Sequence, residues 1–249
     1  MSGAVYLVGA GPGAADLLTL RAARLLGEAD IVFYDALVDA ETLALAPRAE
    51  KIAVGKRCGK HSSEQRFISK RLVDAAKKHR VVVRLKGGDP MLFGRAQEEI
   101  AALAAAGIRY QVVPGVTAAL AAAAELGTSL TRRGVSRSVV FATPRVGEGE
   151  GASSWAAAVR GADTAALYMA SGDAEAVTRE LIAAGVSPGT PVALAENVSL
   201  PDARIESGVL AELPELAQRR GGGPALLLLG EVWRAIGYAR RPRAAIQMA

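Results

Sequence analysis

The 249-residue sequence predicts an α/β protein made of two successive α/β series. Two observations carry this. Short apolar runs crowded with Val, Leu and Ile alternate with amphipathic stretches of helical period. The pattern is then interrupted by Pro114-Gly115 and starts again, which puts a domain junction near 113–117.

In the first series, strands are expected at 5–8, 31–34, 52–54, 81–85 and 110–113, with helices near 19–26, 63–78 and 97–106. Thr19 has the hydroxyl of an N-cap, and Leu20, Ala23, Leu25 and Leu26 are expected to line one face of the first helix. Gly107 follows the third helix as a C-terminal stop. In the second series, strands are expected at 138–142, 164–169, 192–196, 204–210 and 225–229, with a helix near 174–184. The stretch 147–154, rich in Gly, Ser and Glu, reads as a surface loop. The expected organisation is therefore a domain at 1–114, a domain at 115–240 and a basic tail at 241–249.

Composition excludes several classes. The sequence is 51% hydrophobic and 4% aromatic, and its net charge is 30 − 25 = +5 without a dense Lys/Arg block. A nucleic-acid partner is therefore not expected, whereas a small polyanionic substrate suits the surplus. The doublets Lys77-Lys78, Arg132-Arg133, Arg219-Arg220 and Arg240-Arg241 are scattered and read mostly as solvated helix ends. The single cysteine, Cys58, with His61 and His79, is too little for a thiolate metal site, so no metal is expected. The first residues run straight into a strand, and no run approaches the ~18 apolar residues of a membrane span, so a cytoplasmic protein is expected.

Open α/β sheets bind ligands beyond the carboxyl ends of their strands. Four segments fall there. Gly9, Gly11 and Gly13 follow the first strand and Asp35 ends the second; Gly55-Lys56-Arg57 follows the third, and Gly87-Gly88-Asp89-Pro90 the fourth. The glycine loop alone fits either a tight turn or a dinucleotide cradle, but Pro12 removes an N–H where a pyrophosphate needs donors. Paired Gly87 and Gly88 let a ligand lie against the backbone, and the Asp89 carboxylate can receive hydroxyls or an ammonium. Arg95, near a helix start where a cation is locally unfavourable, suits an external anion. Asp35 reads as either a turn cap or a reacting group. The segment 113–119 is a hinge and helix cap on its own terms, and Met169 an ordinary core residue.

Taken together, the motifs resemble the tetrapyrrole methylases nearly end to end. The match is carried by Val5-Tyr6-Leu7-Val8-Gly9-Ala10-Gly11-Pro12-Gly13 with Leu17-Leu18-Thr19-Leu20, by Tyr34-Asp35-Ala36-Leu37-Val38, and by Val54-Gly55-Lys56-Arg57. It continues through Arg84-Leu85-Lys86-Gly87-Gly88-Asp89-Pro90 with Phe93-Gly94-Arg95, and Val112-Val113-Pro114-Gly115-Val116-Thr117-Ala118-Ala119. Tyr168-Met169, Pro191-Val192-Ala193 through Glu196-Asn197, and Pro224-Ala225 through Gly230-Glu231-Val232 complete it.

The resemblance implies two α/β domains with mixed sheets, an active site in the cleft between them, and a homodimer. It also implies S-adenosylmethionine as methyl donor and a tetrapyrrole as substrate. The early motifs favour the branch that methylates uroporphyrinogen III at two ring carbons, giving precorrin-2 for sirohaem or cobalamin. Carried over residue by residue, donor contacts fall on Pro12, Gly87, Gly88, Asp89, Leu92, Thr117, Ala118, Met169, Asn197, Val198 and Ala225. Asp35 is implied as proton acceptor and Lys56 as proton donor, with Arg57, Arg95, Glu98 and Arg133 facing the substrate. The chain departs from the family pattern at Arg132 and Gly134, at Pro144-Arg145, at Ala170 and at Ala96-Gln97. Arg145 puts a fixed cation where many members have an imidazole, so a proton-handling role there does not carry over. The alternatives are a later precorrin methylase, a ribosomal-RNA ribose methylase, a non-catalytic cofactor-binding module and a nicotinamide-binding protein. The last is disfavoured by Pro12 and the Gly-Gly-Asp-Pro segment.

Overall fold

A computed structural model describes residues 3–54, 62–147, 149, 151 and 153–234. The chain forms two compact units. One runs to Ala121 and includes Val198–Pro201; the other comprises Ala122–Asn197 and the residues from Asp202 on.

The first unit holds strands β1 (Ala4–Gly9), β2 (Ile31–Tyr34), β3 (Glu50–Ala53), β4 (Val81–Lys86) and β5 (Arg109–Val113) in the order β3-β2-β4-β1-β5. Its helices are α1 (Leu20–Glu28), α2 (Ala40–Ala44), α3 (Ser62–Ala76) and α4 (Ala96–Ala105), while α5 (Ala118–Glu125) leads out of it. Every strand pairing in this sheet is parallel. The mixed sheet implied by the resemblance is thus found only in the second unit. The β–α alternation of the first half places each strand after a crossover, which returns it in the same direction.

Both faces of the first sheet are covered. Val5, Leu7, Ile31, Phe33 and Val82 pack with Ile68 and Leu72 of α3 and Leu103 of α4. Val8, Val32, Val83 and Leu85 pack on the opposite face with Ala22, Leu25 and Leu26 of α1. Burial on both faces explains why these strands read as continuous rather than alternating apolar runs. The Thr19 hydroxyl accepts from the Ala22 N–H at 3.1 Å, as a cap should, and Gly107 ends α4 at φ +65°. Leu20, expected on the core face of α1, is 92% exposed at the helix start, where the apolar arc instead runs through Ala22, Leu25 and Leu26.

The second unit holds β6 (Val139–Ala142), β7 (Thr164–Tyr168), β8 (Pro191–Glu196), β9 (Arg204–Val209) and β10 (Ala225–Gly230), in the order β6-β7-β10-β8-β9. Only β6 and β7 are parallel; β10 runs antiparallel to β7 and β8, and β9 to β8. Trp155 and Val159 of α6 (Trp155–Arg160), Val177 and Leu181 of α7 (Ala174–Ala183), and Leu213 and Leu216 of α8 (Leu213–Gln218) pack on Leu167, Leu194, Leu227 and Leu229. Helices α2, α5, α6 and α8 are short and Ala-rich or Pro-bearing, and their periodicity is too brief to predict. Among the described residues no helix is long and apolar enough to cross a membrane.

The amino ends of the two sheets are pinned alike. Asp30, just before β2, accepts from the Arg80 and Val81 N–H groups at 2.8 and 2.9 Å. Asp163, just before β7, accepts from the Arg137 and Ser138 N–H groups at 2.8 and 3.0 Å and from the Ser138 hydroxyl at 2.9 Å. Hydrogen bonds to the ionised form hold both carboxyls below their ordinary value, led by Val81 N–H for Asp30 and Arg137 N–H for Asp163.

Candidate active site

In the first unit, the carboxyl ends of β1, β4 and β5 come together through glycine. The Gly88 N–H donates to the Gly11 carbonyl at 2.7 Å and the Gly11 N–H to the Gly88 carbonyl at 3.2 Å. A Cβ on Gly9 would stand 2.6 Å from the Gly115 backbone, and one on Gly115 would collide with the Gly88 carbonyl. Three loops therefore touch backbone to backbone, which only glycine permits.

The glycine loop itself has few amides to offer. Ala10 N–H donates to the Lys86 carbonyl at 2.7 Å, Gly11 N–H is engaged as above, and Ala14 N–H donates to Ser199 Oγ at 2.9 Å. Pro12 has none. A pyrophosphate cradle needs several converging N–H groups, and here those of Ala10, Gly11 and Ala14 are taken by the protein.

Asp35 stands at the end of β2 with both oxygens fixed. Oδ1 accepts from the Leu37 N–H at 3.0 Å and Oδ2 from the Gly87 N–H at 3.2 Å. A Cβ on Gly87 would lie 2.7 Å from Leu37 Cβ, so that position has no room for a side chain. Gly88, by contrast, faces open space but adopts φ +66°. The Asp89 carboxylate spans two loops, with Oδ1 accepting from Met91 N–H at 2.8 Å and Oδ2 from Gly115 N–H at 2.9 Å. Each oxygen keeps a lone pair for a further donor. Leu92 is half-buried beside them, Thr117 is buried, and Ala118 opens α5.

Arg95 is in the left-handed region at φ +53°, and its guanidinium makes a two-pronged pair with Glu98, at 2.7 Å to Oε1 and 2.9 Å to Oε2. The cation thus has an internal partner on the first turn of α4, beyond the external anion inferred from the sequence. Both side chains are half exposed, so the pair contributes little stability. Lys56 and Arg57 lie outside the described residues.

Beneath this edge is a buried charge cluster to which the motifs Arg84-Leu85-Lys86 and the helix after Arg95 assign no role. Arg84 and Lys86, two apart on β4, point to the same face, where α3 and α4 bring Gln65 and Glu99. Glu99 is fully buried. It accepts from Arg84 Nε at 3.1 Å, from Lys86 Nζ at 3.2 Å to each oxygen, and from Gln65 Nε2 at 3.2 Å. Burial, with the Arg84 charge adding to it, pushes the Lys86 ammonium below its ordinary value against the pull of Glu99. Two cations interrupting an apolar strand are the signal in the sequence.

In the second unit, Met169 follows β7, Asn197 follows β8 and Ala225 begins β10 on one edge of the sheet; Met169 and Asn197 both have positive φ, +57° and +49°. Val198, grouped with the first unit, is buried. Glu196 organises this edge. Its carboxylate accepts from the Gly221 N–H at 2.8 Å and the Gly223 N–H at 2.6 Å, and it lies 3.8 Å from Arg220 Nε. Arg220 in turn donates to the Ser171 carbonyl at 3.1 Å and to the Gly223 carbonyl. Arg220 therefore faces inward, unlike the solvated helix end expected of that doublet. Arg133 is exposed in a turn closed by paired bonds between Arg132 and Ser136, at 2.9 and 2.8 Å, and Gly134 has φ +80° there. That angle gives a physical reason for glycine at this position. Arg145 is also exposed. Among the described residues no group of three or more His, Cys, Asp or Glu could hold a metal ion.

A parallel sheet with a fixed carboxylate and glycine-lined backbone at its carboxyl edge, followed in the chain by a mixed second sheet, defines a two-sheet α/β class. Residues 4–214 match the family model of the Tetrapyrrole (Corrin/Porphyrin) Methylases, and the chain belongs to that family. It is 47% identical over 234 residues to a siroheme synthase of Psychrobacter sp. (strain PRwf-1), covering 92% of this chain and 48% of the relative. The chain thus spans about half the length of the curated relatives it matches. Among solved structures, uroporphyrin-III-C-methyltransferase from Thermus thermophilus aligns with TM-score 0.79 and 39% identity, covering 98% of this chain and 99% of that one. The Thermus thermophilus enzyme complexed with S-adenyl homocysteine aligns at TM-score 0.78 and 41% identity, covering 94% of each chain.

Proposed function

We propose that this chain is an S-adenosylmethionine-dependent C-methyltransferase that converts uroporphyrinogen III to precorrin-2 by two successive transfers. The observation that carries the reading is the Asp35 carboxylate, fixed by two backbone N–H groups directly beside Gly87 and Gly88 at the open edge of the first sheet. Likeness in sequence and fold to a uroporphyrin-III-C-methyltransferase supports the substrate.

The donor, when bound, supplies an electrophilic methyl on a sulfonium whose thioether leaves without protonation. The protein's tasks are then alignment and proton removal. Within the first unit, the residues fit to hold the donor are Pro12, Gly87, Gly88, Asp89, Leu92, Thr117, Ala118 and Val198. The fit rests on open space over Gly88, on the acceptor capacity left to Asp89, and on the lack of a phosphate cradle. Each transfer forms a ring-carbon–methyl bond, breaks the sulfonium–methyl bond and releases one proton, which Asp35 takes; Lys56 is the proton donor implied by the resemblance. Arg57 and Arg95 bind carboxylates that a uroporphyrinogen carries on every side chain, with Glu98 setting the angle of the Arg95 fork.

The test is anaerobic incubation of the protein with uroporphyrinogen III and S-adenosylmethionine, followed by absorbance and mass for a dimethylated product. Asp35→Asn should bind the donor normally in calorimetry and lose transfer by roughly a hundredfold. Methylation of a later corrinoid intermediate or of ribosomal RNA, with none on uroporphyrinogen III, would replace this reading.

A further inference from the structure

We infer that Arg84 is a positioning residue for Asp35: its buried guanidinium, locked on Glu99 and two backbone carbonyls, holds a permanent positive charge against the Asp35 carboxylate. The inference rests on the reading of Asp35 as the proton acceptor.

Three hydrogen bonds fix the guanidinium plane. Nε donates to Glu99 Oε1 at 3.1 Å, and Nη1 donates to the Leu85 carbonyl at 2.9 Å and the Phe33 carbonyl at 3.4 Å. Nη2 is left facing Asp35 Oδ2 at 4.0 Å. The Arg84 side chain is only 5% exposed, against 25% for Asp35. The inner group is therefore shielded from water while the outer one is reachable. Phe33 and Asp35 belong to the same strand end, so the residue that binds the Phe33 carbonyl also sets where β2 delivers its carboxylate.

The charges in the cluster balance only when Asp35 is included. Arg84 and Lys86 are two cations, Glu99 is one anion, and Asp35 supplies the second. A guanidinium does not give up its proton in a protein, whereas an ammonium can. Arg84 is therefore the cation suited to stand beside a group that must pick up and release a proton. Its fixed charge faces the Asp35 carboxylate from the buried side, at 4.0 Å. Glu99 anchors the assembly from α4, and a lysine at position 84 would keep the charge without the fork that reaches Glu99, Phe33 and Asp35 together.

The experiment is a double-mutant cycle on steady-state transfer to the tetrapyrrole, with donor affinity measured by calorimetry and folding by circular dichroism. Arg84→Met should lower kcat by roughly a hundredfold and Arg84→Lys by roughly tenfold, each leaving donor affinity and substrate KM within about twofold. In an Asp35→Asn background, Arg84→Met should have no further effect on kcat. Multiplying losses in the double variant, or a folded Arg84→Met with wild-type kcat beside an impaired Asp35→Asn, overturns the inference alone. Full transfer by Asp35→Asn overturns the role of Asp35 and the inference with it. Should Arg84→Met fail to fold, Arg84→Lys decides by the same criteria.

Discussion

The two units solve one problem in opposite ways. Each must order polar groups near the carboxyl edge of a sheet, and each buries one glutamate there. In the first unit Glu99 comes from a helix and is satisfied wholly by side chains, those of Arg84, Lys86 and Gln65. In the second, Glu196 ends a strand and is satisfied mainly by the backbone, through Gly221 and Gly223, with Arg220 reaching on to the Ser171 carbonyl. The first arrangement orients side chains, Asp35 above all. The second fixes the course of the main chain around Met169, Asn197 and Ala225. A residue proposed to perform proton chemistry needs its charge environment controlled, whereas segments proposed to cradle a donor need only their backbone held in place.

Substitutions can sharpen or break that contrast. The largest effect is expected of Gly87→Val, which drives a branched side chain into Leu37 and displaces the N–H that holds Asp35. Donor binding should vanish in calorimetry, and normal affinity would remove the role assigned to that backbone. Glu99→Leu leaves the buried Arg84 and Lys86 with a single nearby counter-charge, Asp35, and should cost about 3–5 kcal/mol in urea unfolding of the first unit. Glu196→Leu should cost less, about 1–3 kcal/mol, because the Gly221 loop is exposed and water can satisfy its amides. Its sharper effect is weaker donor binding with little change in kcat at saturating donor. Equal costs for the two glutamates would break the comparison.

The smallest effect is one in which the units should behave alike. Asp30 and Asp163 both have carboxyls held below the ordinary value of 3.8 by hydrogen bonds to the folded backbone. Their contribution is fully present above that value and is lost as the pH falls through the lower folded one. Melting temperature should therefore decline below about pH 3.8, and the double variant Asp30→Asn with Asp163→Asn should decline less steeply. An unchanged acid slope would show that other carboxylates dominate it.

Much of the site was legible because its residues punctuate the sequence. Gly9, Gly11, Gly88 and Pro12 interrupt apolar runs, and Asp35 and Asp89 stand where strands end, so strand-to-loop logic finds them without coordinates. The sheet order, the antiparallel course of β10 and the helices α2, α5, α6 and α8 were not legible, since short Ala-rich segments carry little periodicity. The family resemblance gave the donor and substrate assignments that spacing alone left open.

Local chemistry determined the elements themselves: a threonine cap for α1, glycine beyond α4, and positions such as Gly88 and Gly134 where positive φ demands that residue. Only the tertiary structure decided what the charges do. Arg84, Lys86 and Glu99 are ordinary polar letters along the chain, and so are Glu196 and Arg220. Their meaning comes from packing that brings residues such as Gln65 and Arg84 onto one carboxylate and excludes water. Charge interactions become strong and specific only in that desolvated setting, which no linear pattern records.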